Sequence, residues 1–201
     1  MPRYSLNQKE QKSCAGACIA VALKELGIAG FEADQSTEMR VYGQVQRGSG
    51  QESAPSKIDK FLNAQPGIRA WIMESPLRTG ALIVGSKGAL IKPWLEYSKE
   101  LWSDWSWRYS RGLVEGDFRD GARVMLCSII ADGSNLTHFI LARKDGNDYY
   151  VMNPDGGSDE LHNDLFSKYI NSYDAHDFGG VDYVYTGICI WIVPSSAPRS
   201  L

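Results

Sequence analysis

A cysteine at the start of a helix-like run is the residue in this chain best suited to nucleophilic chemistry. Cys14 opens a stretch of small and apolar residues that continues as Ala-Gly-Ala-Cys-Ile-Ala-Val-Ala-Leu and is closed by Gly27. Unpaired N–H groups at a helix N-terminus create a positive potential that favours the thiolate, which is the nucleophilic form of cysteine. The pattern therefore predicts a helix with a reactive thiol in its first turn.

An amide side chain lies six residues before this cysteine. Gln8 is far enough upstream for the chain to fold back, so its side chain could donate a hydrogen bond to an oxyanion formed at the thiol. Gln11, three residues before Cys14, leaves too little chain for that fold. The alternative is that Cys14 and Cys18 only pack on one helical face, because free cysteines are among the most buried residues. For Cys18, one turn further on, packing is the prediction.

Three apolar runs in the second half of the chain predict an antiparallel meander. Turn sequences separate them, and the runs lie at 122–131, 137–143 and 149–153. Asp145-Gly146 between the last two is typical of a β-hairpin. Elsewhere the patterns predict a helix from Ser56, a short strand at 68–73, a helix within 158–178 and a final strand at 183–193, whereas 38–45 fits either a strand or a helix.

The meander brings two polar side chains together. His138 begins the second strand and Asn153 ends the third, so antiparallel pairing places them roughly opposite each other. An amide or carboxylate beside an imidazole fixes the tautomer and orientation of the ring, as the third member of a catalytic triad must. Asp155 follows Pro154 two residues later and is the alternative third member.

These residues resemble the motifs of the papain-like cysteine peptidases. The resemblance is to their compact bacterial branch, which includes the leader-removing peptidase domains of bacteriocin exporters and the papain-fold proteases injected by plant-pathogenic bacteria. There a glutamine, five residues and a cysteine precede a small-residue helix, and a histidine strand and a strand ending in Asp-Pro or Asn-Pro follow. Gln8 to Cys14, His138-Phe-Ile-Leu and Asn153-Pro154 keep this order and spacing. The stretch between the two groups of motifs has no counterpart.

The resemblance implies an α+β, papain-like fold, in which an N-terminal helix carrying Cys14 packs on an antiparallel β-sheet carrying His138 and Asn153. It also implies roles. Cys14 is the nucleophile, His138 the general base and acid, Asn153 the group that orients the histidine, and Gln8 the oxyanion donor. The implied activity is that of a cysteine protease that acts on a protein or peptide through a Cys14 thioester.

Several related reactions use the same thioester chemistry, and the motifs do not separate them. Attack on a glutamine side chain makes the protein a deamidase, and capture of the thioester by an amine makes it a transglutaminase. Murein amidases share the machinery. A scaffold that binds a partner without turnover is a further alternative. No cofactor or metal is expected.

Residues 88–112 carry four of the six tryptophans of the chain, namely Trp94, Trp102, Trp105 and Trp107. Trp94, Leu101 and Trp105 follow helical spacing, which favours an amphipathic helix packed on the core. The alternative is that this aromatic surface lines a cleft and binds the substrate, because tryptophan and tyrosine are enriched at binding hot spots.

Composition limits the class of protein and its partners. A length of 201 residues suits one domain, here 1–201, and a net charge of −3 argues against a nucleic-acid partner. The chain has no run of roughly 18 apolar residues and no apolar signal-peptide core, so neither membrane insertion nor a cleaved signal is expected. His162 and His176, in polar surroundings, are expected to be exposed. We expect a cytoplasmic protein or a bacterial effector or toxin exported without a cleaved signal, acting on a host-cell protein.

Overall fold

Three helices precede most of the β-structure. The computed structural model describes residues 2–79, 108–109, 111–119, 121–131 and 136–196. The helices are α1 (Cys14–Glu25), α2 (Gln35–Val45) and α3 (Pro55–Asn63). The Asp34 carboxylate caps α2 by accepting a hydrogen bond from the Thr37 amide at 2.7 Å, and Pro55 supplies the preset backbone angle of a first helical residue. The segment 38–45, left undecided by its pattern, is therefore helical.

The strands form one eight-stranded sheet. They are β1 (Ile68–Glu74), β2 (Arg108–Tyr109), β3 (Arg123–Ile130), β4 (Thr137–Asp145), β5 (Asp148–Asn153), β6 (Ser158–Leu161), β7 (His176–Asp177) and β8 (Asp182–Pro194). The order is β2-β1-β8-β3-β4-β5-β6, and β7 pairs with the start of β8. β1 and β2 are parallel, and the other described pairs are antiparallel. The expected α+β class, with an N-terminal helix and an antiparallel sheet, is confirmed.

The helix expected within 158–178 forms only as a short π-helix (Leu165–Ile170), and β6 and β7 lie on either side of it. Gly156 and Gly157 adopt positive φ angles of 88° and 69°, which turns the chain back so that Ser158 pairs with Asn153. The meander therefore continues into a further strand. The tryptophan-rich segment, with Trp94, Trp102, Trp105 and Trp107, lies outside the described residues.

The sheet is covered differently on its two faces. One face packs against α1 and its neighbouring helices through apolar residues such as Ile19, Leu23, Met125, Phe139 and Ile190. The other face carries an aromatic layer that includes Trp71, Phe118, Phe166, Tyr169, Phe178 and Trp191. α1 is buried all round because α2 covers its outer side. None of the helices described here has the length and hydropathy needed to cross a membrane.

Candidate active site

α1 begins at Cys14, as the sequence predicts, but its thiol is buried. Burial is the largest effect on this group and raises the pKa of Cys14 to about 12. Backbone hydrogen bonds from Phe139, Ala15 and Cys14 itself act in the opposite direction and are weaker. Loss of hydration therefore outweighs the local positive potential, and the resting thiol is neutral.

Two cysteines of α1 meet the sheet at the same place. The Cys18 thiol donates to the Phe139 carbonyl at 3.4 Å, and a backbone hydrogen bond from Phe139 reaches the Cys14 sulfur. Cys18 is fully buried, which confirms its predicted role in packing. Phe139 directly follows His138 in β4, so this contact places the first turn of α1 next to the histidine strand.

His138 and Asn153 form a hydrogen-bonded pair inside the protein. The distance from His138 Nε2 to Asn153 Oδ1 is 2.8 Å, and the two residues are 2% and 0% exposed. They are not directly opposite each other. The register pairs Leu141 with Met152, so Asn153 lies diagonally across from His138, two residues off, where a side chain of histidine length can still reach.

The surroundings of Asn153 determine which ring nitrogen of His138 carries a proton. Asn153 Nδ2 donates to the Phe178 carbonyl at 2.8 Å and lies 3.1 Å from the Tyr183 hydroxyl. A carbonyl accepts only, so the amide nitrogen must face Phe178 and the amide oxygen must face His138. His138 Nε2 is therefore the protonated nitrogen in the neutral ring, and Nδ1 carries the lone pair that a general base needs.

Asp155, the alternative third member, contributes indirectly. Its backbone N–H donates to Asn153 Oδ1 at 3.0 Å, which helps to hold the amide in place. Its negative charge raises the pKa of His138, but less than burial lowers it, and the pKa of His138 falls to about 4. The resting site thus pairs a neutral thiol with a neutral imidazole.

A pocket of about 430 Å³ opens beside these groups. Its lining includes Gln8, His138 and Asp155, together with Asn7, Gln11 and Thr137. The Gln8 backbone N–H donates to the Pro154 carbonyl at 2.8 Å, which ties the N-terminal segment to the end of β5. Gln8 Oε1 is buried and has no hydrogen-bond partner among the described residues. Cys14 is not among the lining residues.

Two supporting groups carry no signal in the linear sequence. The Tyr183 ring stacks on the His138 ring with centroids 4.9 Å apart, although 45 residues separate them. The buried Glu38 carboxylate accepts from the Lys9 amide at 2.8 Å and from the Ser13 hydroxyl. Glu38 thereby joins the residue after Gln8 to the residue before Cys14. Neither contact could be expected before the helices and the sheet were placed together.

No protein-family model and no curated protein sequence matches this chain. The assignment of a function therefore depends on the geometry of the site itself.

Three side chains outside this pocket could hold a metal ion, namely His162, Asp164 and His176. The expectation that both histidines are exposed is wrong, because their side chains are 13% and 18% exposed. Both rings pack edge-on against Phe178.

Proposed function

We propose that the protein is a papain-like thiol hydrolase, and more specifically a cysteine protease that cleaves a protein substrate through a Cys14 thioester. The observation that carries this proposal is the buried 2.8 Å contact between His138 and Asn153, on the strand that also contacts the first turn of α1. A histidine whose ring is fixed in one tautomer by an amide is oriented for general-base catalysis.

The proposed reaction starts from the neutral pair. As the Cys14 sulfur attacks the carbonyl carbon, its proton passes to His138 Nδ1, and the C–S bond forms while the carbonyl becomes an oxyanion. Asn153 holds the imidazolium through the Nε2–H bond. His138 then gives the proton to the leaving amine, which departs as the C–N bond breaks. Water, deprotonated by His138, hydrolyses the thioester and restores the thiol.

Gln8 is the proposed oxyanion donor. Its side chain shares the pocket with His138, and its amide oxygen is not held by the described part of the fold. The Gln8 backbone is anchored at Pro154, so the side chain can turn toward a substrate carbonyl without moving the chain. Donors that point at a developing oxyanion typically contribute about 10²–10³ in rate.

A peptide carrying a vinyl sulfone electrophile tests this proposal without knowledge of the natural substrate. We expect one adduct on Cys14, mapped by peptide mass spectrometry, and an adduct rate that falls by roughly 10²–10⁴ in His138→Ala. Cys127→Ser is the matched control, because Cys127 is equally free and buried but lies on β3. Its labelling rate should match that of the unsubstituted protein.

Absence of an adduct, or an adduct rate that His138→Ala leaves unchanged, would overturn the assignment of a thiol hydrolase. The reaction type is read by intact mass spectrometry of protein substrates after incubation. Peptide-bond cleavage supports the protease assignment. The mass change of a single deamidation, or a cross-linked product, replaces it with a deamidase or a transglutaminase, which use the same thioester.

A further inference from the structure

A second cluster of polar side chains packs against the ring of Phe178, whose carbonyl accepts from Asn153. His162 follows β6, Asp164 precedes the π-helix, and His176 belongs to β7. Each offers one atom with a lone pair, and these atoms all lie within 4.8 Å of one another. Two segments of the chain, the loop at 162–164 and β7, therefore meet at one point.

Both imidazoles in this cluster have an unused nitrogen. The Nε2 atoms of His162 and His176 are buried and lack a hydrogen-bond partner in the described part of the protein. Buried polar atoms are normally satisfied, and each exception calls for an explanation. The nearest acidic atoms are too far away for hydrogen bonds, since Asp164 Oδ1 lies 4.0 Å from His176 Nε2 and Glu160 Oε2 lies 3.6 Å from His162 Nε2.

The carboxylate of the cluster keeps one oxygen on the side of the histidines. Asp164 uses Oδ2 in an ion pair with Lys168 at 2.8 Å, so Oδ1 remains directed at His176. The ion pair also fixes the carboxylate at the edge of the cluster.

We propose that His162, His176 and Asp164 bind one divalent transition-metal ion of the zinc class. Two imidazole nitrogens and a carboxylate oxygen form a donor set that zinc prefers, whereas magnesium and calcium prefer oxygen alone. Ligand atoms of a tetrahedral zinc lie about 3.3 Å apart. Because the three atoms already lie within 4.8 Å of one another, binding draws any pair together by about 1.5 Å at most. Glu160 or water completes the coordination.

The ion would stabilise the segment that holds the Asn153 side chain in place and would not take part in catalysis. β7 directly precedes Phe178, whose carbonyl accepts from Asn153 Nδ2 at 2.8 Å. The Phe178 ring packs against both histidines, with centroid distances of 4.7 Å to His162 and 4.9 Å to His176. A metal that joins His162 to His176 therefore holds the segment carrying this carbonyl. The proposal does not depend on the reaction at Cys14.

Zinc titration of the full chain tests this site. Calorimetry is performed on a Cys14→Ser background, which removes a thiol that could bind zinc beside His138. We expect one equivalent of Zn²⁺ to bind and to raise Tm, with no such shift from Mg²⁺ or Ca²⁺. Co²⁺ should bind in the same place and give the visible absorption of a nitrogen- and oxygen-ligated ion.

Variants identify the ligands. His162→Asn, His176→Asn and Asp164→Asn should each weaken Zn²⁺ binding by more than the roughly 10–100-fold typical of groups outside the coordination shell. Asp174→Asn is the matched control, because Asp174 is acidic and nearby but outside the cluster. The Zn²⁺ affinity of this variant should be unchanged. Asp164 is 34% exposed, so its variant should fold normally, as judged by circular dichroism. The proposal is overturned if the protein does not bind Zn²⁺. It is also overturned if folded Asp164→Asn and either histidine variant keep the original Zn²⁺ affinity.

Discussion

At the scale of single residues, the chemistry of this site depends on one amide. Asn153 makes four hydrogen bonds or close polar contacts, to His138, Asp155, Phe178 and Tyr183. The Phe178 carbonyl requires the amide nitrogen on its side, and the Asp155 N–H requires the amide oxygen on the other. The Asn153 side chain therefore has a single orientation. This orientation is transmitted to the imidazole, which makes Asn153 a positioning residue for His138.

Asn153→Ala should lower the rate of Cys14 labelling much more than Asp155→Ala. The alanine leaves His138 Nε2–H without its acceptor and frees the ring to rotate, whereas Asp155 acts on Asn153 through its backbone N–H, which alanine retains. With a peptide substrate, kcat should fall while KM changes little, since the contact matters mainly in the transition state. A larger loss in Asp155→Ala would identify Asp155 as the orienting residue.

Asn153→Asp separates orientation from folding. A carboxylate still accepts from His138, but it cannot donate to the Phe178 carbonyl. We expect labelling faster than in Asn153→Ala, together with a free energy of unfolding lower than that of the unsubstituted protein by about 1–3 kcal/mol. Urea unfolding at neutral pH measures the second effect.

Burial of His138 also predicts how stability depends on pH. The folded protein binds the His138 proton only near pH 4, whereas an unfolded chain binds it near pH 6.5. The unfolded state therefore takes up a proton first as pH falls, and the contribution of His138 to stability is complete above pH 6.5 and is lost toward pH 4. The difference corresponds to about 3 kcal/mol.

Urea unfolding of the unsubstituted protein and His138→Gln between pH 7 and pH 4 measures this contribution. Other groups, such as Asp59 with its pKa raised to about 6, titrate in both proteins and cancel in the comparison. The unsubstituted protein should lose about 3 kcal/mol more than His138→Gln over this range. Parallel curves would show that His138 is hydrated in the folded state.

At the scale of elements, the position of Cys14 depends on how closely α1 approaches α2. A Cβ at Gly16 would lie 2.7 Å from the Glu38 carbonyl oxygen and 3.1 Å from the Tyr42 Cβ. The helices can touch there only because Gly16 has no side chain. Glu38 strengthens the same junction through Ser13 and Lys9. This contact holds the first turn of α1, which carries Cys14, against α2.

Gly16→Ala should therefore separate the helices and slow Cys14 labelling. The obstacle is backbone, which cannot move aside cheaply, so we expect a destabilisation of about 1–3 kcal/mol. Gly43→Ala is the matched control, because it lies within α2 and a Cβ there meets nothing within 4 Å. It should be neutral or stabilising by up to about 1 kcal/mol. Equal Tm values for the two variants would contradict the proposed close contact.

At the scale of the whole molecule, a buried charge cluster connects α1, the sheet and the N-terminal segment. Glu25 accepts from Arg123 at 2.9 Å and from Arg143 at 2.7 Å, and all three side chains are at most 2% exposed. Glu25 also accepts from the Tyr4 amide at 2.9 Å, and Arg143 donates to the Tyr4 carbonyl at 3.0 Å. The segment that carries Gln8 is thus anchored at Tyr4 and again at Pro154.

Glu25→Gln should destabilise the protein by about 3–5 kcal/mol, because it leaves two buried guanidinium groups without their shared counter-charge. Glu32→Gln is the matched control. Glu32 pairs with Lys24 of α1 but is 61% exposed, and the loss of such a surface pair costs less than about 1 kcal/mol. Urea unfolding at neutral pH distinguishes the two variants. Similar losses of unfolding free energy would show that Glu25 is hydrated.

The sequence by itself determined what local physics controls. The start of α1 at Cys14, the meander, and the end of β5 at Asn153 before Pro154 all follow from helix composition, apolar runs and turn residues. The same patterns put His138 and Asn153 on neighbouring strands, within reach of each other. Within 158–178 only a short π-helix forms, because Gly156 and Gly157 turn the chain back onto β5 and the residues that follow pair as a strand.

Only the tertiary structure decided the charge states and the supporting contacts. The burial that raises the pKa of Cys14 and lowers that of His138 comes from elements far apart in the chain, whereas the helix N-terminus that the sequence reveals has the weaker effect. Tyr183, Phe178 and Glu38 reach the site from other elements. The approach of His162 to His176 likewise depends on how β7 pairs with β8. Long-range packing sets these distances, and no local pattern encodes them.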